Sequence, residues 1–119
     1  MYRLPCTIEY IHREICPPAY ILTLSRADLL LFISLVEKIK EGICKGVELA
    51  GKDRKGCRIG CEGGLLVFVI EDVTLRLDEN QDECFISFLA DMIADAPRYD
   101  HIDLEFRDVG VDLTVRVER

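Results

Sequence analysis

The chain is 119 residues long, half of them apolar, with a formal charge of −7. That length is one domain, and that apolar fraction supports a packed core and excludes disorder. The acidity opposes contact with nucleic-acid phosphates, and no apolar stretch reaches the roughly 18 residues of a membrane span. The N-terminal MYRLPCTIEYIHRE lacks the basic-then-apolar order of a secretory signal, so a cytoplasmic protein is expected. Six cysteines then read as reduced thiols rather than a disulfide framework. Cys16, Cys44, Cys57, Cys61 and Cys84 sit among apolar neighbours, where a thiol acts as a small hydrophobe.

In chain order, Thr7 to Ile15 reads as an edge strand, ended by Pro17-Pro18, which cannot donate ladder hydrogen bonds. Tyr20, Leu22 and Leu24 then share one strand face. Ser25 opens a helix with Asp28 at capping-box spacing, and Leu24 and Leu29 flank the cap as a staple. Leu29, Phe32, Ile33, Val36 and Ile39 give its buried stripe, widened by Leu30, Leu31 and Leu35. Gly42 supplies a left-handed stop. Val47 and Leu49 form a short strand, 52–55 a polar basic turn, and Cys57, Ile59 and Cys61 a second strand face. Leu65 to Ile70, LLVFVI, reads as a strand buried on both faces. After a turn or bulge at Glu71-Asp72, Val73, Leu75 and Leu77 alternate with polar residues. A second helix starts near Asp78 or Asn80, with Phe85, Phe88, Leu89, Met92 and Ile93 inward and Pro97 as its stop. Ile102, Leu104 and Phe106, then Val111, Leu113, Val115 and Val117, alternate strictly and flank Asp108-Val109-Gly110. They predict a hairpin with one dry and one wet face.

The chain contains a similar unit twice. Leu22 to Lys40 aligns without a gap on Leu75 to Ile93, bringing Ser25 onto Asp78 and Phe32-Ile33-Ser34 onto Phe85-Ile86-Ser87. The expected fold is a single α+β domain of two β-β-α-β-β halves, about 7–61 and 65–118. Its two helices would pack on one face of a mostly antiparallel sheet.

Signatures of chemistry are weak. Asp78-x-Asn80-x-Asp82 matches the first ligands of a calcium loop, but Glu83 stands where glycine is needed and Leu89 where glutamate is needed. Cys57 and Cys61, four apart on a strand, lie about 13 Å apart, whereas thiolates on one zinc sit within about 4 Å. His101 lies beside Asp100 and shares strand parity with Asp103, and His12 lies between Glu9 and Glu14. Neither histidine has an evident nucleophile, although Cys84 and Ser87 are possible in principle. The glycines between the halves form no phosphate-cradling run. No catalytic residue, metal or cofactor is expected.

Charge is the stronger signal. The net charge is 0 over Met1 to Gly42, +2 over Ile43 to Gly64, and −9 over Leu65 to Arg119. Glu79, Asp82, Glu83, Asp103, Glu105, Asp108 and Asp112 form the expected partner-binding surface, and a field of that sign steers basic partners. In this respect the chain is similar to the immunity proteins that bacteria make against their own nuclease toxins. That resemblance implies a non-enzymatic inhibitor of a basic toxin or nuclease domain. The duplicated units also resemble the βαβββ modules of the glyoxalase and bleomycin-resistance superfamily, which implies a small-molecule pocket. The strands before the two helices lack that family's metal-binding histidine, so the pocket would be metal-free. A third expectation is a structural subunit that forms a homodimer through its sheet edges.

Overall fold

The computed structural model describes residues 2–51, 56–94 and 100–118. Along these run β1 (Tyr2–Pro5), β2 (Thr7–Ile11), β3 (Ala19–Leu24), α1 (Arg26–Lys40), β4 (Val47–Ala50), β5 (Gly56–Glu62), β6 (Leu65–Ile70), β7 (Val73–Arg76), α2 (Glu79–Ala94), β8 (His101–Phe106) and β9 (Val111–Val117). The fold is α+β with antiparallel pairing dominant. The basic turn at 52–55 and the stop at Pro97 lie outside the described residues. No described helix is long and apolar enough to cross a membrane.

The strands form two mixed sheets rather than the single sheet expected. The first has the order β1-β4-β5-β6-β7, and its parallel pair is β1–β4. The second has the order β2-β3-β9-β8, and its parallel pair is β3–β9. Each helix carries the chain from one sheet to the other. α1 leads from β3 in the second sheet to β4 in the first, and α2 leads from β7 back to β8. Alternation tells which face of a strand is dry, but not which strand lies beside it.

The strand–helix–hairpin order does occur twice, with helices starting at the aligned residues Arg26 and Glu79. The pairings are not equivalent. β5 meets β6 antiparallel, whereas β9 meets β3 in parallel, not β2. The halves share local elements but not one arrangement of neighbours.

Two departures lie at the N-terminus. β1 was not expected, and its burial pattern inverts no run long enough to reveal it: Leu4 is its only core residue. β2 stops at Ile11, and Ile15 is 96% exposed. There the chain turns, with Arg13 Nε donating to Pro17 O at 2.8 Å.

The helix caps follow the sequence closely. Asp28 N donates to Ser25 Oγ at 3.1 Å, and Gly42 adopts φ 78° while Ile43 N returns to Lys38 O at 2.9 Å. At α2, Asp78 Oδ1 accepts from Gln81 N at 2.7 Å and Gln81 Oε1 accepts from Asp78 N at 3.0 Å, a reciprocal cap. The inward stripes are narrower than expected. Leu30, Leu31 and Phe88 are exposed, each one step off its helix's buried row.

The core joins residues of both helices and both sheets. Phe85 is its hub, edge-on to Phe32 at 6.4 Å and to Phe68 at 5.5 Å. The helices are pinned at both ends. Arg26 donates to Ile93 O at 2.8 Å, which ties the start of α1 to the last turn of α2. At the other end, Lys40 Nζ pairs with Asp82 and also donates to Gly64 O at 2.5 Å, while Asp82 Oδ1 accepts from Leu66 N at 2.8 Å. Asp82 is 8% exposed, so its charge is tolerated because every acceptor has a donor.

Asp82→Ala is expected to lower stability by roughly 3 kcal/mol, because it strands a partly buried ammonium and the Leu66 N–H. Urea unfolding should show a lower midpoint at an unchanged slope, and the paired Lys40→Met/Asp82→Leu variant should recover part of the loss.

Candidate functional site

Two of the seven expected surface carboxylates are buried or half-buried. Asp82 points inward into the helix clamp and leaves the surface altogether. A residue in the first turn of a capped helix has one inward direction per turn, and here Asp82 occupies it while Glu79 and Glu83 stay exposed. Asp112 is half-buried and accepts from Arg13 at 2.6 Å.

The other residues lie around the join between α2 and β8. Gln81 makes this join: besides capping the helix, its Nε2 donates to Glu105 O on β8 at 2.8 Å. Two open cavities follow one another along the join. The first, about 590 Å³, lies between the start of α2, the end of β8 and the edge strand β7, and Asp78, Glu105, Asp108, Arg76 and Arg107 line it. The second, about 350 Å³, lies further along α2 at the start of β8, and Phe88, Asp91, His101 and Asp103 line it. Glu79 and Glu83 stand on exposed positions of the same helix outside these linings.

On the wet face of the second sheet, the ladder sets His101, Asp103 and Glu105 opposite Arg116, Thr114 and Asp112. The charges there are interleaved rather than uniformly negative. Asp103 accepts from Thr114 Oγ1 at 2.6 Å and lies 3.5 Å from His101 Nε2. Asp100 holds His101 Nδ1 at 2.7 Å. Arg116 donates to Thr23 Oγ1 at 2.8 Å and reaches Glu9 at 3.4 Å. The hydrogen bond that the His101 ring donates to Asp100 raises the His101 pKa above its ordinary 6.5; partial burial opposes this, and the Asp103 charge adds to it.

The chemistry on offer is recognition of cations and hydrogen-bond donors, with one aromatic ring among the carboxylates. Phe88, 47% exposed, was expected in the core. Its environment was nevertheless legible in one respect: Asp91, one turn on, marks that side of the helix as wet. Cys84 and Ser87 do not line either cavity. Cys6 and Cys57 are buried, which pushes the Cys6 thiol up to about 12 and the Cys57 thiol higher still. Cys16 is exposed, contrary to the apolar setting its neighbours suggest. Among the described residues, no group of three or more His, Cys, Asp and Glu side chains is arranged to hold a metal. No protein-family profile, curated protein or solved structure matches the chain.

The raised His101 pKa fixes the sign of a pH effect. A group whose pKa rises on folding contributes stability that is complete below its ordinary value and is lost as pH climbs through the raised one. NMR titration should place the His101 midpoint above 6.5, and Asp100→Asn should bring it down. The stability difference between the parent chain and His101→Gln should shrink as pH rises through that midpoint.

Proposed function

We propose that this chain is a non-enzymatic binding protein of the inhibitor or immunity type, which blocks a basic partner such as a toxin or nuclease domain. The observation that carries this reading is the cavity between α2 and the start of β8, where Asp91, Asp103 and His101 flank the exposed ring of Phe88. An exposed aromatic ring within a polar rim is the anatomy of a protein–protein interface. The cavity walls are a capped helix and a hydrogen-bonded ladder, so little order need be gained on binding. Exposed carboxylates at Glu79, Glu83 and Asp108 would supply steering, Asp103 and Glu105 a fixed acidic row on β8, and Phe88 the desolvated contact. The six free cysteines support a place in a reducing compartment such as the cytoplasm.

Mixing the purified chain with a panel of basic nuclease-toxin domains provides the test. A complex should co-purify at low salt and weaken as the Debye length falls to about 3 Å near 1 M salt. Replacing Glu79, Glu83 and Asp108 with lysine should slow association by roughly tenfold or more, with dissociation changed less. Failure to form a complex at low salt ends the proposal.

A further inference from the structure

β8 ends its sheet, and among the described residues no strand pairs with its outer edge, where Gln81 holds the Glu105 carbonyl and the groups of His101 and Asp103 have no strand partner. The direction of its backbone groups follows from one bond. Val117 N donates to Asp100 O at 3.0 Å, so 100 and 117 form a hydrogen-bonded pair. Such pairs alternate along an antiparallel ladder. Ile102, Leu104 and Phe106 therefore bond to β9, while the N–H and C=O groups of His101, Asp103 and Glu105 point outward, away from β9. Glu105 O confirms the direction, since it accepts from Gln81 on that side.

We infer that this edge docks an extended basic segment of the partner as an added strand, an inference that rests on the binding role proposed above. Of the four strands that end a sheet, β8 is the longest, at 6 residues against 4, 5 and 4 for β1, β2 and β7. Short edges resist added strands, and long ones invite them. The period of 2 in a strand then specifies the occupant. Side chains of the added strand opposite Asp103 and Glu105 lie on the wet face, where lysine or arginine is complementary. Those between lie on the inner face beside Ile102 and Phe88, where apolar side chains fit. A second copy is a poor occupant, because two β8 edges meeting about a two-fold axis would set carboxylates against carboxylates.

The probe is a short capped peptide of alternating lysine and valine, compared with the same peptide N-methylated at alternate residues so that the edge-facing donors are lost and the charge is kept. The unmethylated peptide should slow amide exchange at His101 and Asp103 by roughly tenfold or more, and the methylated one should not. Phe88→Ala, at an exposed site, should weaken the unmethylated peptide roughly tenfold. Equal binding of the two peptides, or binding without slowed exchange, overturns strand addition. The same exchange measurement on the complex with the toxin-type protein separates the two ideas. A complex that leaves the His101 and Asp103 amides exchanging freely removes the docking mode and keeps the binding role. Absence of any complex removes both.

Discussion

The pinning of α1 against α2 is the constraint on which the rest of the structure depends. The helices run antiparallel, held at one end by Arg26 on the Ile93 carbonyl and at the other by Lys40, Asp82 and the first residues of β6. The second attachment is the more consequential. It brings the end of one helix, the start of the other and the opening of a core strand to one point. Because Asp82 sits one turn inside a helix whose first residues are fixed by the Asp78–Gln81 cap, the clamp sets the roll of α2 about its axis. That roll turns Phe85 into the core, leaves Phe88 outside it, and aims Gln81 at the Glu105 carbonyl.

The two sheets are sewn together differently on their two sides. On one side β1 and β2 are consecutive, and the chain passes between sheets through the single buried residue Cys6, whose N–H is held by Ala50 O at 3.1 Å. On the other side β7 and β8 are separated by the whole of α2. A one-residue crossing leaves no room for a cavity, whereas a helical crossing leaves a gap wherever side chains fail to fill it. Both cavities along α2 belong to this second side. The position of the site is thus a consequence of connectivity as much as of charge.

The same division explains what could be read in advance. Caps, turns and hairpins were legible because they depend on residues close in sequence: Ser25 with Asp28, Gly42 after α1, and Gly110 closing the β8–β9 turn at φ 71°. The β8–β9 hairpin and its dry face followed from strict alternation on both strands around Asp108-Val109-Gly110. The partition into two sheets was not legible, since β3 pairs with β9 across nearly the whole chain and nothing local to either encodes it. β1, with one buried residue, gives too short a pattern to register. Among the site residues, acidity correctly marked Glu79, Glu83, Asp103, Glu105 and Asp108 as exposed. It misassigned Asp82, because charge reports a preference for water and not the arrival of Lys40 and a backbone donor from elsewhere in the chain.

Interleaved charge on the wet face bears on specificity. A uniform acidic field would attract any basic protein, whereas Asp103, Asp112 and Glu9 are already held by Thr114, Arg13 and Arg116 in fixed positions. A partner cation approaching these groups must match an existing geometry or displace an existing donor. Displacement costs a hydrogen bond, and a mismatched cation leaves a charge desolvated without compensation. The free carboxylates at the helix start and the hairpin turn act over longer range and carry no such constraint. Attraction and discrimination therefore fall to different residues: Glu79, Glu83 and Asp108 draw the partner in, and the ordered rows of β8 and β9 decide whether it stays.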